Sequence, residues 1–257
     1  FILGSSDNFT QFNQSDFFLI HINEKNEWQW SRFYGGDQME MAQKVKQDPN
    51  GNLLLFGTSA SYFNLLNDFF LIKTDSQGVP VWENVFGTDH NDYGTSFDLT
   101  SDGGYILVGH SEKKDGQTDI LVIKINSKGE KIWGKFFGGI KNDYAYSILE
   151  DKDKGILILG SSQSFGNTTD LVLYKLDSVG NLLWYKVIDT GGEDKGVDMI
   201  QLQDSSLTLL AVSDSIGNYD DEDFFLLHLD KLGNELWRKR FGDFNEDIPF
   251  ALANTGD

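Results

Sequence analysis

A tryptophan recurs along the chain at Trp30, Trp82, Trp133, Trp184 and Trp237, and ten positions after each stands an acid: Glu40, Asp92, Asp143, Asp194 and Asp247. Seventeen residues beyond the first four acids comes Gly57, Gly109, Gly160 or Ala211, closing an apolar run such as "YILVG" or "ILILG". Gly4 in "FILG" closes the fifth run of this kind. Ten to twelve residues further on, an aspartate opens another apolar run: Asp16, Asp68, Asp119, Asp170 and Asp223. A period of about 51 to 53 residues therefore covers the whole chain, which makes it an array of like supersecondary units.

Each period reads as four short strands: one starting at the acid, a "YILVG"-like second, a "DFFLI"-like third and a fourth carrying the tryptophan. Turns such as "DSVG" (Asp177 to Gly180) and "DKLG" (Asp230 to Gly233) join the third strand to the fourth. Asp or Asn first and Gly fourth suit a type I turn closed by a left-handed residue, and Asn26 takes the glycine's place in the first repeat as a tolerant substitute.

Two positions beyond each acid the residue is compact (Ala42, Gly94, Ala145, Gly196, Pro249), and five beyond it is apolar (Val45, Phe97, Ile148, Met199, Leu252). That pattern is expected of the innermost strand of a propeller blade, where backbones crowd around one axis. The second and third strands are apolar almost without alternation, as required when neighbouring blades cover both faces. The reading is an all-β β-propeller of about five four-stranded blades in a single domain over 1–257, with repeats near 1–52, 53–104, 105–155, 156–206 and 207–257. Because Phe1 begins at a second strand and Asp247 to Asp257 reads as a lone first strand, the C-terminal strand is expected to pair with the N-terminal three and close the ring.

Composition limits the partners. The 40 acidic against 21 basic residues give a formal charge of −19, which disfavours nucleic acid and anionic membrane surfaces. Cysteine is absent, which removes disulfides, thiolate metal sites and a cysteine nucleophile. No apolar run is long enough to span a bilayer, and the chain reads as a mature or trimmed product.

Stretches such as "WGKFFGGIKNDYAYSILEDKDKGILILGSSQSFGNTTDLVLYKLDSVGNLLW" resemble the seven-bladed β-propeller repeat (SBBP) family, with its Gly-Gly, Asp-Tyr pair, Asp-led strand and Gly-Asn-x-x-Trp-like end. The "KLDSVGNLLW" turn and docking tryptophan are similar to those of pyrroloquinoline-quinone-type propellers. The resemblance implies an exported or surface protein of bacteria, common in the Bacteroidota and often carried in type IX-secreted chains, located in the periplasm, at the cell surface or outside the cell. Nothing in the family pattern is catalytic.

Candidate sites each have a plain architectural alternative. The acids Glu40, Asp92, Asp143, Asp194 and Asp247 form either a carboxylate ring holding a cation or turn acceptors that lock one repeat to the next. Their presence in every repeat favours architecture, as it does for Asp16, Asp68, Asp119, Asp170, Asp223 and the five tryptophans. Calcium has candidate acids at Asp151 and Asp153 and in the run Asp220, Asp221, Glu222, Asp223, but neither stretch makes a complete calcium loop, so no metal or cofactor is assigned. His21 and His228 stand where Lys73, Lys124 and Lys175 stand elsewhere, and His90 and His110 are isolated, so an enzyme is not expected.

Function is sought where repeats differ. The loops between second and third strands carry extra apolar residues in the first two repeats. Phe12, Tyr62, Phe63, Leu65 and Leu66, with Tyr219 in the fifth repeat, would lie on one rim and could form a protein-binding patch, or fold over their own blades. Trp28, outside the series, is free to meet a partner. The expectation is a non-catalytic interaction module of an exported or cell-envelope protein, an accessory subunit of a surface or secretion assembly; carbohydrate binding or processing at the axial mouth is the alternative.

Overall fold

In the computed structural model, which describes residues 1–6, 15–62, 65–214, 223–242 and 247–254, the regular structure is a succession of antiparallel sheets built from strands adjacent in sequence. The first sheet has three strands, β1 (Ile2–Ser6), β2 (Asp16–Ile22) and β3 (Trp28–Tyr34). Four four-stranded sheets follow. The second holds β4 (Glu40–Gln47), β5 (Leu53–Ser59), β6 (Asp68–Thr74) and β7 (Pro80–Phe86); the third holds β8 (Asp92–Leu99), β9 (Tyr105–Glu112), β10 (Thr118–Ile125) and β11 (Lys131–Phe137). The fourth holds β12 (Asp143–Glu150), β13 (Ile156–Ser162), β14 (Asp170–Leu176) and β15 (Leu182–Ile188); the fifth holds β16 (Asp194–Gln201), β17 (Leu207–Ser213), β18 (Asp223–Leu229) and β19 (Glu235–Phe241). The architecture is all-β and propeller-like.

Each sheet is a meander because its connections are short and locally satisfied. Between third and fourth strands, the side chain of Asn23, Asp75, Asn126, Asp177 or Asp230 accepts the backbone N–H groups two and four residues on. The turn then closes at a left-handed residue, Asn26 (φ 60°) in the first sheet and a glycine such as Gly180 (φ 78°) in the others.

Four hydrophobic cores lie between successive sheets. Phe17 and Leu19 of the first sheet meet Leu53, Leu55, Phe70 and Ile72 of the second; Phe56 and Phe69 of the second meet Phe97 and Leu107 of the third. Val108 and Ile120 meet Ile148 and Ile158 at the third seam, and Leu159 and Leu173 meet Met199 and Leu209 at the fourth. A tryptophan packs against each of these cores: Trp30, Trp82, Trp133 and Trp184 in turn. Strands covered on both faces lose alternation, so β5, β13 and β14 are buried at every residue.

The expected pairing of the C-terminal segment with β1 is not seen. Residues 247–254 form no strand, and β1 pairs only with β2. The segment lies along the fifth sheet instead, where the Leu252 N–H donates to Asp198 Oδ2 at 3.0 Å. A chemical reason is local. At the compact position, Ala42, Gly94 and Gly196 donate their backbone N–H to Ser5, Thr58 and Ser161 of the preceding sheet, fastening three of the four first strands to their neighbours. At the last position Pro249 has no N–H to give, and Val212, which stands where those hydroxyls stand, has none to receive it.

Candidate functional site

Four first strands share one irregularity that creates a cavity. Register shifts between Ala42 and Lys44, Gly94 and Ser96, Ala145 and Ser147, and Gly196 and Asp198 leave Gln43, Thr95, Tyr146 and Val197 out of the cross-strand register. A bulge turns such a residue out of the sheet's alternation. These four, together with Phe250 from the C-terminal segment, line one cavity of about 500 Å³ with Lys44, Ser96, Lys195, Asp198 and Ala251. The cavity thus takes a wall from each of β4, β8, β12, β16 and residues 248–251.

Its charged equipment is two ammonium groups, Lys44 and Lys195, and the Asp198 carboxylate. Lys44 Nζ donates to Ser96 Oγ at 2.9 Å, and Ser147 Oγ donates to Asp198 Oδ1 at 2.9 Å. Burial and the positive charge of Lys46 lower the Lys44 pKa, with Asp198 and Asp98 opposing the shift. None of the four histidines lines this cavity. His21 stacks on Phe1, His228 on Trp237 and His110 on Tyr93, and His90 pairs with Asp89. Burial lowers the His110 pKa to about 4, so its imidazole is neutral.

The acids that follow the tryptophan strands sit at sheet entries. Glu40, Asp92, Asp143 and Asp194 are fully buried, and each accepts the N–H of the residue four positions earlier: Gly36, Thr88, Gly139 or Thr190. Ser59 adds a hydroxyl donor to Glu40 and Ser164 one to Asp143. The backbone N–H of Glu40, Asp92 and Asp194 reaches back to the carbonyl of Ser15, Asn67 and Thr169, just before the Asp-led strand of the preceding sheet.

What the sequence did not reveal is that the two acid series meet. Every acid of the first series lies 24 residues after one of the second, and the two carboxylates face a common notch between neighbouring sheets. A Cβ built on Gly87 falls 1.8 Å from Asp68 Oδ1 and 2.6 Å from Asp92 Oδ2; Gly35, Gly138 and Gly242 stand in the same way between Asp16 and Glu40, Asp119 and Asp143, and Asp223 and Asp247. In the fourth seam Asp189 replaces that glycine, and Asp170, Asp189 and Asp194 bring carboxylate oxygens within 4.8 Å of one another. Burial and the Asp92 charge push the Asp68 carboxyl up to about 7.

The other singled-out residues are dispersed. Tyr62 packs its ring on Phe70 at 5.4 Å, Leu65 is 66% exposed, and Leu66 is half-buried; Phe12, Phe63 and Tyr219 lie outside the described residues. Trp28 is exposed. Asp151 is engaged by Lys175 and by the N–H groups of Asp153 and Gly155; Asp223 is buried beside Arg240, and residues 220–222 are outside the described set. Among the described residues no helix is long and apolar enough to cross a membrane.

No protein-family profile and no curated protein matches the chain. Solved structures do. A protein of unknown function from Bacteroides caccae aligns over 93% of both chains at 11% identity and a TM-score of 0.50. A member of the DUF4221 family from Bacteroides vulgatus aligns over 93% of this chain and 80% of its own at 11% identity, TM-score 0.46. A protein provisionally assigned as a gluconolactonase aligns over 80% of this chain and 66% of its own at 12% identity, TM-score 0.44. At these identities the likeness concerns the fold.

Proposed function

We propose that the chain is a non-catalytic β-propeller binding module of an exported or cell-envelope bacterial protein, its five sheets acting as five blades around the cavity lined by Gln43, Thr95, Tyr146, Val197 and Phe250. It captures a protein partner through the rim loops between second and third strands. The observation that carries this reading is Leu65. A leucine at φ 61° with two-thirds of its surface in water sits on the loop that the third repeat keeps polar. An apolar side chain held outward in a strained backbone is a cost that a partner's surface would offset. The SBBP-like repeat and the bacterial export that accompanies it support the localisation. Capture of envelope proteins by wild type should be lost with Leu65→Asp and kept with a solvent-facing control such as Lys128→Asp. Equal capture by Leu65→Asp would refute rim binding.

The cavity favours a second reading, in which the ligand is a carbohydrate. Tyr146 and Phe250 offer ring faces while Gln43, Thr95, Lys44 and Asp198 offer hydrogen bonds, the mixture that sugars select. Glycan-array binding that vanishes with Tyr146→Ala would place the ligand there instead.

A further inference from the structure

The intersheet notches are alike in backbone and unlike in what neutralises them. In the third seam Lys113 Nζ lies 2.6 Å from Asp119, and in the fifth Arg240 pairs with Asp223. In the first seam Glu40, one methylene longer, is hydrogen-bonded with Asp16 and receives Ser59 and Ser61. In the fourth, hydroxyls of Thr168 and Thr190 and the Gly191 N–H serve the three carboxylates. In the second seam the Ser111 and Thr88 hydroxyls and the Thr88 N–H serve Asp92, but among the described residues no cation or hydroxyl serves Asp68. Asp68 is 2% exposed, and among the described residues no hydrogen bond or ion pair reaches its carboxylate. Asp92 is fully buried, burial raises its pKa against hydrogen bonds from Ser111 and Thr88, and its Oδ1 keeps no hydrogen bond of good geometry. The other oxygen of each, Asp68 Oδ1 and Asp92 Oδ2, faces the notch beside Gly87.

Two buried carboxylates with orphan oxygens are costly unless a cation joins them. A cavity of about 500 Å³ opens on this one, walled by Leu66, Asp68, Gly87, Thr88 and Asp89 among others, with room for the water that a hard cation retains. Lys131 also lines this cavity. We propose that the Asp68–Asp92 notch binds a hard divalent cation of the calcium class, in the place that Lys113 and Arg240 fill in the cognate seams. Asp68 and Asp92 supply the anionic ligands, Asp89 stands at the entrance, and water completes the shell. With only two buried carboxylates, the affinity falls at about 10⁻⁴ to 10⁻³ M, the range of extracellular calcium modules. This inference is independent of which partner or ligand the module takes.

The test is equilibrium dialysis of chelator-treated protein against calcium chloride at about that concentration, in excess sodium chloride, alongside Asp68→Asn and Asp119→Asn. Wild type should bind calcium and gain thermal stability from it. Asp68→Asn should lose one equivalent or bind it about tenfold more weakly, and Asp119→Asn, whose notch already holds a lysine, should behave as wild type. Absence of bound calcium in wild type overturns the site whatever the variants do, and so does unchanged binding by a folded Asp68→Asn. If Asp68→Asn fails to fold, Asp68→Ser read by the same dialysis takes its place.

Discussion

The first four seams and the gap between the last sheet and the first are built from equivalent repeat positions and end differently. At the sealed seams a tryptophan lies under the turn of the next sheet: a Cβ built on Gly180 would fall 2.8 Å from Trp133, and Gly78 and Gly233 crowd Trp30 and Trp184 in the same way. Two residues after the tryptophan, a polar side chain reaches over to that turn, as Arg32 does to Gln77, Asn84 to Gly129, Lys135 to Val179 and Lys186 to Asn234. At the open edge Trp237 is 46% exposed, and Lys239 lies over Phe241 of its own strand. The strands record the difference. β14 is buried throughout, whereas β18 and the start of β2 alternate, because each has one face uncovered. Identical modules thus acquire their continuous apolar burial from a neighbour on each side rather than from their own sequence.

That contrast can be broken most forcefully at the tryptophans. Trp133→Ala should cost about 3 kcal/mol in urea unfolding, from lost apolar contact and the void left under Gly180. A cost similar to that of Trp237→Ala would contradict the sealed-seam account. Next, Gly180→Ala should cost about 2 kcal/mol, since it strains a left-handed residue and presses on Trp133. Asn26→Gly, at the corresponding turn of the first sheet, should be nearly neutral by the same measurement.

The repeat was legible because its signals are simple: tryptophan, acid, compact residue and turn recur at fixed spacing, and each is a steric or hydrogen-bonding requirement. The cavity lining was not. Gln43, Thr95, Tyr146, Val197 and Phe250 share a location but no chemistry, and for the first four only the bulge sends them into one cavity. The paired carboxylates were half legible, since both series were recognised and their constant separation of 24 residues was in view, but proximity across a seam has no local sequence signature. Ring closure was overread. Pro249 and Val212 remove the donor and the hydroxyl that fasten other first strands, and the repeat phase alone gave them no weight.

The third seam offers a subtler test. Where Ser5, Thr58 and Ser161 stand elsewhere, it has His110, held neutral between Tyr93 and Tyr144 with Glu112 as the nearby opposing charge. Its pKa of about 4 lies below the unfolded value, so its stabilisation is complete above about pH 6.5 and is lost as pH falls toward 4. Between pH 7 and 5 wild type should lose about 2 kcal/mol relative to His110→Gln. A parallel pH dependence in the two proteins would contradict a neutral buried imidazole. The smallest effect belongs to the open edge, where Trp237→Ala should cost under about 1 kcal/mol.

Amide hydrogen exchange measures the central claim directly, because a free edge strand and a fastened one differ in protection. β1 should exchange at least about a hundredfold faster than β8 and β12, with residues 247–254 as fast as β1. Matching strong protection in β1 and 247–254 would show that the two ends pair and that the fifth seam is sealed like the rest.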